Sequence, residues 1–236
     1  MTEEIIVTDL TRFKKDGQVC LAGYGLNSHL IIRPMPYLTQ EECKQYSILP
    51  GTKLGSNFTR QPNAAPPHIE DQWHADWCNY GNVSSLDFLN VLEETTYPSV
   101  AIGFGVVLPA KQKFIAPAQN PTRSLITIEV NPANIEIVPG YNDSSTLKVN
   151  LCDAAHQEFW YLPLTDLGFF RYAQAHSAKN QLFWLNGFIR SQQRVLLRIG
   201  LGRYYENPHS QDKGYWIQVN GIYTFPDYPK EIRSYE

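Results

Sequence analysis

Hydrophobic and polar residues alternate most regularly near the C-terminus, in two runs that a polar loop separates. One face of these runs is apolar and carries Val195, Leu197, Ile199, Leu201, Tyr215, Ile217 and Val219. The other face carries Arg194, Leu196, Arg198, Gly200, Gly202, Trp216, Gln218 and Asn220. Because side chains alternate across a strand, the pattern predicts two paired strands with one buried face. The opposite face would offer polar groups and bare backbone to a ligand.

Shorter apolar runs predict strands along most of the chain. In the N-terminal half they cover residues 5–10, 19–24 and 30–33, and prolines stop the third run. Three such strands with short connections predict a β-meander, which is typical of a small barrel or sandwich. Further strands are predicted at residues 100–108, 124–130, 135–138, 146–151 and 159–164.

Helical patterns are fewer and lie between these strands. Residues 86–95 follow Ser85, which is a favourable N-cap residue, and carry leucines at three-residue intervals. Thr165 caps a second predicted helix over residues 166–176. Residues 181–189 are apolar and fit either a helix or a strand. The overall pattern therefore predicts a mainly β protein with a few short helices.

Residues 111–123 contain two prolines and are the predicted linker between two strand-rich halves. The first half, residues 1–122, includes residues 37–82, which are rich in Pro, Asn, Gln, Gly and Thr and show poor periodicity. This composition predicts a long insert loop, and such loops often carry function. The second half is residues 123–236. The tripeptide Thr-Asp-Leu occurs in each half, which favours two similar β domains.

The composition indicates a globular protein, since 43% of the 236 residues are hydrophobic and 18% are charged. A net charge of −3 argues against nonspecific coating of nucleic acid, so nucleic-acid binding would need a local patch. The four cysteines form no Cys-x-x-Cys pair, which indicates reduced structural thiols. The N-terminus is not a signal peptide, and no apolar run approaches the roughly 20 residues of a membrane span. We therefore expect a cytoplasmic protein with no membrane partner.

The first candidate site is the polar face of the two C-terminal strands. It carries Arg198, Arg203, Trp216, Gln218 and Asn220, and residues 167–205 contain no Asp or Glu. The arginines would contact phosphates or carboxylates, and the indole would stack on a base whose edge the amides bind. The alternative is an ordinary half-exposed strand face, with each arginine paired to a distant acid and the indole in the core.

The insert loop holds the second candidate site, two imidazoles and two carboxylates from His68, Glu70, Asp71 and His74. These side chains would contact a ligand, supply an acid and a base, or serve only the structure of the loop. Their spacing matches no metal motif, and we predict no metal. Outside this loop the sequence has no Gly-x-Ser-x-Gly, Walker A, Gly-x-Gly-x-x-Gly or His-Glu-x-x-His motif.

The third candidate site lies at the ends of the first and third strands and consists of Asp9, Thr11, Arg12 and Arg33. A carboxylate in a buried strand needs a partner, because burying an unpaired charge is costly. Arg12 or Arg33 would form a structural ion pair with Asp9. Alternatively, the group would line a cleft between two domains.

A series of short motifs resembles the dual OB-containing domain, a bacterial family. The motifs are VTDLTR at 7–12, VCLAG at 19–23, IRP at 32–34, PHIED at 67–71, LRIGLGR at 197–203 and WIQVNGIYTFPD at 216–227. They span nearly the whole chain, and the last is the most specific. Gly202 departs from the alanine that the family favours. The resemblance implies two tandem OB-like β-barrels packed together. It also implies a role in recognising nucleic acid or nucleotides, often in defence-related gene settings, without established catalytic residues.

The main hypothesis is a non-enzymatic binding module without a cofactor, acting as a sensor in a bacterial defence setting. Its ligand would be single-stranded nucleic acid or a nucleotide-like small molecule. A cleft lined by Arg12, Arg33, Arg198, Arg203 and Trp216 would bind that ligand. The alternative is an enzyme acting on a nucleotide or nucleic acid, with His68, Glu70 and Asp71 as acid and base. A third hypothesis is a protein-interaction module that uses the aromatic residues 223–228.

Overall fold

The computed structural model of the protein describes residues 2–233 except 14–16, 142, 144, 179–180 and 209. The chain is mainly β with a few helices, as predicted, and its sheets are curled. No helix in the described part of the chain is long and apolar enough to cross a membrane.

The N-terminal half forms an eight-stranded sheet. Its strands are β1 (Glu3–Arg12), β2 (Gln18–Gly25), β3 (Ile31–Met35), β4 (Leu38–Thr39), β5 (Thr52–Ser56), β6 (Thr59–Arg60), β7 (Asp71–Trp73) and β8 (Cys78–Asn82). The order is β6-β7-β3-β2-β1-β5-β8, with β4 paired to β2. The β3–β7 pair is parallel, and the neighbouring pairs β1–β2 and β2–β3 are antiparallel. The predicted meander of the first three strands is confirmed.

Residues 37–82 are not the long irregular loop that we predicted. They contain helix α1 (Gln40–Gln45) and strands β4 to β8. Thr39 caps α1 in a capping box with Glu42. The strands of this segment are two to five residues long, and β8 is exposed along its whole length. Such short strands cannot develop an alternating pattern, which is why the sequence resembled a loop.

Two helices follow this segment. Helix α2 (Ser85–Glu94) confirms the predicted helix, although the N-cap is Ser84 rather than Ser85. Residues 100–108 were predicted as a buried strand, which is wrong, because they begin with helix α3 (Val100–Phe104). Ser99 caps this helix, and Gly105 ends it in the left-handed conformation. A short apolar run fits a buried strand and a buried helix equally well.

The C-terminal half contains two sheets and two helices. The larger sheet consists of β9 (Thr96–Tyr97), β10 (Phe114–Ile115), β11 (Leu125–Val130), β15 (Arg194–Glu206) and β16 (Lys213–Phe225), in the order β10-β16-β15-β11-β9. The smaller sheet consists of β12 (Ile135–Pro139), β13 (Leu147–Cys152) and β14 (Glu158–Pro163). The helices are α4 (Leu167–Ala178) and α5 (Leu182–Arg190), so the ambiguous apolar run is helical. The side chain of Asp166, not that of Thr165, accepts the backbone N–H of Phe169 at the start of α4.

The two halves share a hydrophobic core. Ile6, Tyr24, Phe88, Leu196 and Tyr223 belong to one buried cluster, although they come from β1, β2, α2, β15 and β16. Strands β9 and β10 precede residue 123, but they pair with strands of the larger C-terminal sheet. The domain boundary near residue 122 stays a prediction. The packing means that both faces of β15 are covered over much of its length.

Candidate functional site

Arg198 lies at the centre of the molecule and not on an open face. It has no exposed surface, and its Nε and Nη2 atoms both lie 2.9 Å from Oδ2 of Asp9. Its Nη1 atom donates to the hydroxyls of Thr95 and Thr127, at 3.2 and 3.0 Å. Our assignment of Arg198 to an accessible ligand face is therefore wrong in this structure. Strand β1 covers the side of β15 that carries this arginine.

Asp9 has a partner, as predicted, but the partner is neither Arg12 nor Arg33. It is Arg198, from the other half of the chain. Thr11 is buried on β1, and the guanidinium carbon of Arg12 lies 3.8 Å from the ring centroid of Phe170. The third candidate site is thus divided, because Asp9 pairs with Arg198, Arg12 lies against Phe170, and Arg33 belongs to a separate group.

Arg33 lies in a second group, which we call the seam cluster. It consists of the buried residues Arg33, His68, Glu70, Asp71 and Ser124 together with Arg203, whose side chain is 46% exposed. Arg33 Nε donates to Asp71 Oδ1 at 2.6 Å, and its Nη2 atom lies 3.5 Å from Glu70 Oε2. Arg203 Nη2 donates to Asp71 Oδ2 at 2.7 Å. The structure therefore joins residues from all three candidate sites in one network between the halves.

Glu70 connects the insert segment to the second half. Its Oε1 atom accepts the backbone N–H of Ser124 at 2.7 Å, and its Oε2 atom accepts the Ser124 hydroxyl at 2.9 Å. Glu70 and Asp71 are 4% and 5% exposed. Both carboxylates are thus occupied by donors of the protein, and both are shielded from solvent. This arrangement indicates that Glu70 and Asp71 have a structural role in connecting the two halves.

The electrostatics of the seam cluster keep His68 neutral. Burial, followed by the positive charges of Arg33 and Arg203, lowers the pKa of His68 from 6.5 to about 3. Its Nδ1 atom lies 3.1 Å from Nη2 of Arg33 and accepts from it, which leaves the ring proton on Nε2. Burial alone would raise the pKa of Asp71, but Arg33 and Arg203 outweigh burial and lower it.

An open site lies where β15 ends and β16 begins. We call it the aromatic cleft; it is lined by Pro109, Ala110, Lys111, Gln112, Lys113, Phe114, Asn207, Asp212 and Trp216. Its volume is about 490 Å³. The rings of Phe114 and Trp216 are 5.4 Å apart at an angle of 38°, because β10 pairs with β16 in register at these two residues. The Trp216 indole donates to the carbonyl oxygen of Tyr205 at 3.3 Å, which holds the ring in place.

Two lysines stand beside this aromatic pair. Lys113 is partly buried, and burial lowers its pKa. Its Nζ atom lies 5.8 Å from the ring centroid of Tyr161, on the neighbouring small sheet. Lys111 has a left-handed backbone conformation, with φ of 65°. A non-glycine residue in this region is uncommon and often marks a turn or a functional constraint.

The remaining residues of the first candidate site have different positions. Gln218 is half-buried on β16, whereas Asn220 is buried and accepts from the hydroxyl of Thr165 at 3.1 Å. We expected Gly200 to let a ligand approach the backbone. Instead, a Cβ atom at this position would lie 2.3 Å from the amide nitrogen of Asn220, so the glycine makes room for that side chain. Of the predicted residues, Trp216 alone lines the aromatic cleft.

Sequence reasoning missed Lys111, Lys113 and Phe114 because they lie in the segment that we read as a linker. The signal was present as KQKF, two lysines next to an aromatic residue. That Phe114 lies beside Trp216 follows only from the register of β10 against β16, which brings together residues about a hundred positions apart in the chain.

Comparison of the chain with protein-family models and with curated proteins gives no match. In the described part of the chain, no group of three or more His, Cys, Asp or Glu side chains is arranged to hold a metal ion. Inferences about function therefore depend on the geometry of the seam cluster and of the aromatic cleft.

Proposed function

We propose that the protein is a binding module for a ligand that carries a nucleobase and phosphate, either a nucleotide or a short single strand of nucleic acid. The observation that carries this proposal is the Phe114–Trp216 pair beside Lys111 and Lys113 in the aromatic cleft. Stacking a base on an aromatic side chain contributes about 1–3 kcal/mol and tolerates any base.

The polar groups of the cleft complement the other parts of such a ligand. The lysines supply positive charge for a phosphate, and Asp212, whose Oδ2 atom accepts from the hydroxyl of Ser210, offers its other carboxylate oxygen to the edge of a base. Asp212 also repels a phosphate chain that would pass close to it. Together with the net charge of −3, this favours a short ligand over a long polymer.

We also propose that the first half is an OB-type barrel, as the resemblance to the dual OB-containing domain implies. What supports this is the order β7-β3-β2-β1-β5, in which β7 runs parallel to β3 and the other neighbouring pairs are antiparallel. A partly open five-stranded Greek-key barrel has such a closing strand. In the second half, the two sheets meet through a parallel bridge between Leu164 and Val219, so a second barrel is the less supported part of the proposal.

The test measures binding of the purified protein to a fluorescent oligothymidylate of about 12 nucleotides, a length within the range of OB-type sites. The four ribonucleoside monophosphates are measured beside it by calorimetry. We expect Trp216→Ala to weaken binding about tenfold, since it removes one stacking contact. Lys113→Gln should weaken binding and reduce its dependence on salt.

Trp160→Ala and Lys44→Gln are the matched controls, because Trp160 is exposed on the smaller sheet and Lys44 lies on α1. Both should bind like the wild type. Unchanged binding by Trp216→Ala and Lys113→Gln would show that the aromatic cleft is not the site. A steep loss of oligonucleotide affinity with salt would identify a polymer ligand, whereas tight mononucleotide binding with a flat salt response would identify a small one.

A further inference from the structure

A second cavity opens along the seam between the two halves, away from the aromatic cleft. We call it the seam groove, and its volume is about 370 Å³. One wall comes from the turn after β2 and from the residues before β7, including His29, Leu30 and Ile69. The other wall comes from the end of α2, β9 and the start of β11, including Glu94, Tyr97 and Arg123. The size is suitable for a small molecule.

Opposite charges line this groove without neutralising each other. Arg123 lies over the ring of Tyr97, with its guanidinium carbon 4.8 Å from the ring centroid. Glu94 is exposed at the end of α2 and faces Tyr24, whose pKa it raises together with burial. Within the part of the chain that the structure describes, neither Arg123 nor Glu94 has an ion-pair partner. Elsewhere in the groove, Glu70 is held by Ser124, so these two charges are the ones available to a ligand.

The groove is also lined by two exposed aliphatic side chains and by a histidine that is hydrogen-bonded to a tyrosine. Leu30 and Ile69 both line the groove and are 58% and 39% exposed, so both offer apolar surface to a ligand. His29 has a left-handed backbone, with φ of 56°, and its Nδ1 atom lies 2.8 Å from the hydroxyl of Tyr24. This backbone conformation closes the turn after β2, where the N–H of His29 donates to the carbonyl oxygen of Gly25 at 3.0 Å. The turn thus holds the imidazole at the mouth of the groove.

We propose that the seam groove binds a small zwitterion with an apolar body, the chemistry of a free apolar amino acid. The carboxylate of the ligand pairs with Arg123, whose planar guanidinium is already positioned on Tyr97. The ammonium group pairs with Glu94. The apolar body lies on Leu30 and Ile69 and removes their exposed surface from water. The proposal is independent of nucleotide binding in the aromatic cleft, because the two cavities share no lining residue.

The experiment compares three probes with the same phenyl body: L-phenylalanine, which carries both charged groups, 3-phenylpropanoate, which lacks the ammonium group, and 2-phenylethylamine, which lacks the carboxylate. Each is titrated into the full-length protein by calorimetry, and each is tested for its effect on the melting temperature. We expect L-phenylalanine to bind and both single-charge analogues to bind about tenfold more weakly or worse, since each loses one charge-assisted contact. Absence of L-phenylalanine binding, or equal binding of either analogue, overturns the proposal.

The variants Arg123→Gln and Glu94→Gln should each weaken L-phenylalanine binding about tenfold. Arg123→Lys keeps the charge and should recover part of the affinity. The matched controls are Arg190→Gln and Glu41→Gln, which change exposed charges that do not line the groove. Circular dichroism and melting temperatures establish that each variant is folded. Wild-type affinity in both Arg123→Gln and Glu94→Gln contradicts the assignment, and wild-type affinity in Trp216→Ala shows that the groove acts separately from the aromatic cleft.

Discussion

The centre of this protein contains a buried ion pair between Asp9 and Arg198, which come from different halves of the chain. Asp9 and Arg198 are 1% and 0% exposed as side chains, so water screens neither charge. Burying an ion pair costs desolvation energy that the attraction only partly offsets, so the pair itself adds little stability. Removing one partner is different, because the remaining charge is then buried alone.

Replacing Asp9 with asparagine should therefore destabilise the protein by about 3–5 kcal/mol. Urea unfolding followed by fluorescence measures this loss. The control is Arg194→Gln, which breaks the partly exposed ion pairs of Arg194 with Glu93 and Glu129 and should cost less than about 1 kcal/mol. Similar losses in the two variants would contradict the buried, unscreened character of the Asp9–Arg198 pair.

Among the secondary-structure elements, helix α3 shows that two capping residues indicate a helix better than the apolar run between them does. Ser99 accepts from the backbone N–H of Ile102 at the start, and Gly105 adopts φ of 69° at the end. Neither signal depends on periodicity, and the run between them is too short to show any. The serine and the glycine were both visible in the sequence, and they were the better guide to a helix.

Two glycines, one at the end of α3 and one inside α5, should respond to substitution by alanine with opposite changes in stability. Gly105→Ala should lower the unfolding free energy by about 1 kcal/mol, because an L-residue is strained in the left-handed conformation. Gly187 lies inside α5, where an added Cβ atom meets nothing within 4 Å. Gly187→Ala should therefore raise the unfolding free energy by about 0.5–1 kcal/mol. Thermal and urea unfolding of both variants check the opposite signs, and the same sign in both would refute this account.

In the whole molecule, the seam cluster couples stability to pH. The folded protein holds the pKa of His68 at about 3, whereas the ordinary value of the unfolded chain is 6.5. Between these values the unfolded chain binds the proton and the folded protein does not. The stability that neutral His68 contributes is therefore complete above pH 6.5 and is lost as the pH falls toward 3.

His68→Gln should remove this part of the pH dependence, because glutamine still accepts from Arg33 but does not titrate. The wild type should lose stability relative to the variant by up to about 1.4 kcal/mol per pH unit below pH 6.5. Urea unfolding at a series of pH values measures the difference, and the carboxylates of the cluster are common to both proteins. His176→Gln, on the outer end of α4, is the control and should follow the wild type. Parallel curves for wild type and His68→Gln would mean that the histidine is not held neutral.

Much of the secondary structure was accessible from the sequence, because a strand or a helix cap is set by neighbouring residues. The meander of the first three strands, helix α2 and the pair β15–β16 followed from alternation and from serine caps. The strands of residues 37–82 did not, since strands of two to five residues are too short to show a clear period. Of the residues singled out in the sequence, Trp216 lines the aromatic cleft, and His68, Glu70 and Asp71 meet around Arg33, whereas Lys111, Lys113 and Phe114 were missed.

The sequence by itself determined which residues are charged, apolar or aromatic and how they alternate along each strand. Only the tertiary structure decided which side of a strand meets solvent and which charges become partners. Asp9 and Arg198 are separated by 189 positions, and Phe114 reaches Trp216 only through the pairing of β10 with β16. The physical reason is that alternation is a property of the local backbone, whereas burial and charge pairing depend on elements that become neighbours when the chain folds.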